Sequence, residues 1–126
     1  MKDNNLYIKT KDFLDQNLGK HEVVSGALLD NDEYIFSVGV NTHLDSACLC
    51  AEVGNICEAV KNGNKIKESI CLYKKEDQVV VFPPCGLCLE RFSIFGPATD
   101  FLIEENGELL YKNIKELAPS RWYEKF

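Results

Sequence analysis

Cys50-Ala51-Glu52 and Pro84-Cys85-Gly86-Leu87-Cys88 are the two stretches on which the reading of this chain turns. Together they offer three thiols and a carboxylate. The Cys-x-x-Cys spacing lets one helix start place two sulfurs on one metal ion, and Cys50 adds a third from another. A structural zinc is normally closed by four protein ligands, whereas a catalytic zinc keeps one position for water, so three cysteines with a nearby Glu point to chemistry. Both motifs fall where a loop turns into a helix, and the unpaired N–H groups there favour thiolate over thiol. Cys50, Cys85 and Cys88 are the expected zinc ligands. Glu52 is the expected proton carrier, because zinc draws the pKa of a bound water from about 16 toward about 7 and an adjacent carboxylate can take that proton and pass it on.

The rest of the chain reads as scaffold. Leu6, Phe13, Leu14 and Leu18 give residues 3–18 the spacing of a first helix that stops before Gly19. Two apolar runs, 23–29 and 34–40, flank the polar turn 30–33 as a hairpin, and the small residues Ser25, Gly26 and Ala27 mark a close approach to the backbone. A loop, 41–49, leads to Cys50. Residues 51–61 form a helix with Val53, Ile56, Cys57 and Val60 on its buried face, stopped by Asn62-Gly63. Strands follow at 66–73 and 78–82, then Pro83-Pro84, a helix at 86–95 stopped by Gly96-Pro97, and a fifth strand at 99–103. After a turn at 104–107, a short segment around Ile114, Leu117 and Ala118 precedes Pro119 and an aromatic tail of Trp122, Tyr123 and Phe126. This order implies a layered α/β domain with a mixed five-stranded sheet, the hairpin antiparallel and the helical crossovers favouring parallel pairing.

Composition narrows the function. At 126 residues the chain is sized for one domain, 1–126. Its net charge of −6 gives no polybasic footprint for nucleic acid or anionic membrane, so a small neutral or cationic substrate fits better. No leader pattern opens the chain, and no run reaches the roughly eighteen apolar residues of a spanning helix, so a cytoplasmic protein is expected. Six cysteines without a secretory leader read as reduced thiols and metal ligands rather than disulfides. Cys48, Cys57 and Cys71 have no partner spacing and read as small core residues; neither His21 nor His43 is an expected ligand.

The joint pattern Cys50-Ala51-Glu52 and Pro84-Cys85-Gly86-Leu87-Cys88 resembles the signature of the zinc-dependent cytidine deaminase superfamily, His-x-Glu with Pro-Cys-x-x-Cys, with Cys as first ligand. Val24-Ser25-Gly26-Ala27-Leu28 is similar to its first strand, Gly39-Val40-Asn41 to its substrate loop and residues 114–120 to its C-terminal segment. The short interval from Gly39 to Cys50 and the Lys115-Glu116-Leu117-Ala118-Pro119-Ser120 ending resemble the blasticidin S deaminase type most. The resemblance implies a cytidine deaminase-like three-layer domain and hydrolytic removal of the 4-amino group from a cytosine-ring nucleoside. It implies substrate contacts at Asn41, Ala51, the Pro83 carbonyl and Trp122, and a homotetramer.

Three departures stand out. His43 occupies the place of a ribose-binding Glu, which tilts the substrate toward a blasticidin-like nucleoside over cytidine or deoxycytidine. Leu89-Glu90 replaces the frequent Arg-Gln after the second Cys of Cys-x-x-Cys. Three thiolates on a dication leave one net negative charge, and the two places where related enzymes carry a balancing Arg hold Val53 and Leu87. An inactive, zinc-stabilised nucleoside-binding module is the alternative of a different class. Asn41 also reads as a turn residue, and Trp122 as a cover over core or subunit interface.

Overall fold

The computed structural model describes residues 3–17 and 22–125; the expected helix stop at Leu18-Gly19, His21 and Phe126 lie outside the described residues. Helix α1 (Asn5–Gln16) starts at Asn4, whose side-chain oxygen accepts from the Tyr7 N–H at 3.2 Å. Strands β1 (Val23–Leu29) and β2 (Tyr34–Val38) form the expected antiparallel hairpin. Helix α2 (Glu52–Asn62) ends at Gly63 in the left-handed conformation. A second hairpin, β3 (Ile66–Lys75) with β4 (Gln78–Phe82), leads through Pro83-Pro84 to α3 (Gly86–Phe95). Strand β5 (Asp100–Glu105), β6 (Glu108–Asn113), the single turn α4 (Ile114–Leu117) and a 3-10 turn at Trp122–Lys125 complete the described chain. None of the described helices is long and apolar enough to cross a membrane.

The sheet is mixed and carries six strands, one more than the sequence suggests. Its order is β2-β1-β3-β5-β6, with β4 beside the C-terminal part of β3. The added strand follows Asn106-Gly107, both with positive φ, a two-residue connection that suits the twist of a hairpin. Its own signal is weak because it is an edge strand with no fully buried residue. Among the described strands only β3 and β5 pair in parallel, since the crossover through α2 carries the chain past β1 before it pairs.

Helices cover both faces. Leu6, Tyr7 and Leu14 of α1 pack on Val24, Ile70, Leu72, Val81 and Leu102. On the other face Ile56, Ala59, Leu89 and Phe92 of α2 and α3 pack on Ala27, Leu29, Phe101 and Ile103. Double burial gives β1 and β3 near-continuous buried runs instead of clean alternation. The β1–β3 register shifts between Leu28 and Leu29, opposite Glu68 and Ile66, and this one-residue slip lets Ile66 join the α2/α3 core while Ile70 and Leu72 face α1.

The small residues of β1 mark where α1 touches the sheet. A Cβ built on Gly26 would lie 1.9 Å from Thr10 Oγ1 and 3.0 Å from its Cβ. Thr10 is 0% exposed and its hydroxyl has no hydrogen-bond partner, so it has no room to yield. Gly26→Ala is therefore expected to destabilise the fold by about 1–3 kcal/mol in denaturant melts, with part of the loss recovered when Thr10→Ala is added. Simple additivity of the two changes would contradict the contact.

Candidate metal centre and active site

Two helix starts meet at the site, and buried polar contacts hold the first in place. The Val40–Leu49 bridge, with N–H···O distances of 3.0 and 2.9 Å, closes the loop before Cys50. From β2, the Ser37 hydroxyl donates to the Ala51 carbonyl, and Gly54 lets the strand approach, since a Cβ there would lie 2.7 Å from Ser37 Cβ. One turn further, Asn55, 2% exposed, donates to the carbonyl and hydroxyl oxygens of Ser25, each at 3.2 Å. Ser25 in turn donates to the Ile70 carbonyl at 2.8 Å. The inward face of α2 is thus Glu52, Asn55, Ile56 and Ala59, about one residue round from the apolar stripe expected from the sequence. Cys57 and Val60 are exposed, because Asn55, hydrogen-bonded to Ser25, and Glu52, beside the thiols, take the inside.

The second helix start follows β4, which the two prolines end by removing the N–H groups a strand would need. Cys85 caps α3, its sulfur accepting from the Cys88 N–H at 3.5 Å. Its Sγ lies 3.5 Å from Cys50 Sγ, and the sulfurs of Cys50, Cys85 and Cys88 all fall within 4.8 Å of one another. Tetrahedral zinc–sulfur bonds of about 2.3 Å put sulfurs about 3.8 Å apart, so this donor set fits such an ion. Glu52, 4% exposed, is buried beside the cluster. Cys71 lies in the sheet beneath it, and Cys48 is half-buried in the preceding loop rather than in the core.

The thiols differ in how readily they ionise. Burial and the neighbouring Cys85 push Cys50 up, and burial together with the Glu52 charge pushes Cys88 well above the usual thiol range. Burial also opposes ionisation of Cys85, but the backbone N–H groups at the start of α3 and the Cys50 thiol outweigh it and hold Cys85 below its ordinary value. Cys85 is the first thiolate of the set. Burial raises the Glu52 carboxyl, against the pull of its own N–H, Arg91 and Cys88.

The arginine without a place in the motifs is found here. Arg91 stands one turn beyond Cys88 on α3, and its Nη1 donates to Cys88 Sγ at 3.6 Å. Sequence reasoning missed it because related enzymes carry the charge elsewhere, although its i, i+3 spacing from Cys88 is the available signal. The remaining sequence candidates have contacts outside the three-thiol set. Asn41 lies in the exposed loop with its Oδ1 3.6 Å from Cys48 Sγ, Pro83 is exposed two residues before Cys85, and Trp122 is tied to α3 through its backbone N–H.

The chain is similar to known proteins in both sequence and fold. No family model matches the chain. The curated blasticidin-S deaminase of Bacillus cereus is 31% identical over 109 residues, covering 82% of this chain and 78% of that protein. The cytidine deaminase structure from Bacillus anthracis superposes with a TM-score of 0.83 at 30% identity, covering 95% of this chain and 89% of that one. Cytidine deaminase structures from Burkholderia pseudomallei (TM-score 0.74, 15% identity, 97% of this chain and 100% of that one) and Mycobacterium tuberculosis (0.61, 20%, 83% and 81%) share the fold. The fold is that of the cytidine deaminases. The chain belongs to the cytidine deaminase superfamily, with a blasticidin-S deaminase among its relatives.

If the three thiols form one metal site, cobalt(II) added to the reduced, metal-free protein gives thiolate charge-transfer absorption saturating at one ion per chain. Arg91→Ala is expected to weaken metal binding about ten- to a hundredfold in competition with a chelator, with Arg91→Lys in between. Full affinity in Arg91→Ala would remove the guanidinium from the charge balance.

Proposed function

We propose that this chain is a zinc-dependent hydrolytic deaminase that converts a cytosine-ring nucleoside to its uracil counterpart and ammonia. The observation that carries this reading is the convergence of three thiols within 4.8 Å beside a buried carboxyl, Glu52. Zinc held by Cys50, Cys85 and Cys88 would supply an activated water at neutral pH. In the overall change the water oxygen bonds to ring C4 and the bond from C4 to the exocyclic nitrogen breaks.

Glu52 takes one water proton and delivers it to ring N3, then carries the second, from the hydroxyl now on C4, to the departing amine, so that C4 ends as a carbonyl and the nitrogen leaves as ammonia. A carboxyl raised by burial suits both duties, since burial favours the acid form that must return the proton. The Pro83 carbonyl accepts from the leaving amine, Ala51 contacts the ring, Asn41 binds the sugar and Trp122 walls the pocket. Arg91 offsets the third thiolate, which supports an active centre over the inert binding module.

The similarity to a blasticidin-S deaminase and His43 in the loop favour a blasticidin-like nucleoside, with cytidine or deoxycytidine the alternative. Exposed Leu49, Phe82, Leu87, Trp122 and Tyr123 support a homo-oligomer, read here as a tetramer. A donor set of reduced thiols supports a cytoplasmic setting.

Purified protein is expected to hold one zinc per chain and to release ammonia, with the matching ultraviolet change, from blasticidin S faster than from cytidine or deoxycytidine. Glu52→Gln should keep the zinc and lose turnover by about a hundred- to ten-thousandfold. Zinc-loaded protein that turns over none of the three compounds would sink the proposal.

A further inference from the structure

We infer that Glu90 is a positioning residue that latches the aromatic C-terminal turn onto α3 and so sets one wall of the substrate pocket. Its two carboxylate oxygens are divided between two consecutive backbone donors. Trp122 N–H donates to Oε1 and Tyr123 N–H to Oε2, each at 3.1 Å. Such a fork fixes orientation as well as distance, and an ionised acceptor makes each bond stronger than a neutral one. Across the latch, Arg121 holds Glu124 at 2.8 Å and reaches the Ala118 carbonyl, so the turn is shaped on its own side too.

The place of the latch gives it its consequence. On α3, Glu90 lies two residues beyond Cys88, so the turn is tied to the same helix that carries Cys88. Trp122 is 68% exposed although its backbone is fastened. A Gln at this position would offer a single, neutral acceptor oxygen, which the two N–H groups would have to share. A carboxylate holds both. The link from the latch to substrate rests on the proposed deaminase reading; the latch itself does not.

Trp122 is the sole tryptophan, so its fluorescence reports the turn alone. In the zinc-loaded full chain, Glu90→Ala is expected to lower the fluorescence anisotropy of Trp122 and to speed amide exchange at Trp122 and Tyr123 about tenfold or more. KM for the nucleoside that the parent turns over should rise about tenfold, with kcat within about twofold and zinc content unchanged. Glu90→Gln, a gentler change should the alanine variant fold poorly, is expected to fall between. Unchanged exchange and anisotropy would overturn the latch. A loosened turn with unchanged KM would overturn its part in the pocket. Exchange and anisotropy read the latch even if the parent deaminates nothing, so the two readings fail separately.

Discussion

Everything at the site depends on bringing the sulfurs of Cys50 and Cys85, 35 residues apart in sequence, to 3.5 Å. Neither helix achieves this alone. The start of α2 is fastened to β2 through Ser37 and to β1 through Asn55 and Ser25, while the start of α3 is set by the end of β4 on β3. Since β1 and β3 pair directly, their ladder is the ruler between the two helix starts. A register error there would separate the thiols and also turn every core side chain of the strand to the wrong face.

Electrostatics then decides how the cluster is tolerated. Burial is the first reason that Cys50, Cys88 and Glu52 all resist charge, and for the two thiols the neighbouring acidic groups add to it. The counterweights come from two sources. Backbone N–H groups at the start of α3 lower Cys85, and the Arg91 guanidinium faces Cys88 from the next turn. A cation in the centre would add the larger share, as metal ions reverse the local preference for neutral groups.

The sequence is most legible where chemistry and local geometry coincide. The Cys-x-x-Cys spacing, the proline pair and the hairpin between β1 and β2 need only neighbours to be read. It is less legible where tertiary context decides. Apolar Val53, Cys57 and Val60 point to one buried face of α2, but Glu52 and Asn55 turn inward because partners on β1 and the thiol cluster await them. Arg91 gains its meaning only once α3 is seen to carry it back over Cys88. The last strand hides because an edge strand has only one covered side, and Asn106-Gly107 was the local hint to it.

The one-residue slip between β1 and β3 divides the molecule's labour. Up to that point, Val24 and Gly26 of β1, with Ile70 and Leu72 of β3, meet only α1, whereas Ser25, Ala27 and Cys71 look toward the helices that carry the thiols. Sequence change is therefore partitioned by parity along these strands. An engineer seeking thermal robustness can repack the α1 side around the tight Gly26–Thr10 contact while leaving untouched the alternate positions that face the thiol-bearing helices.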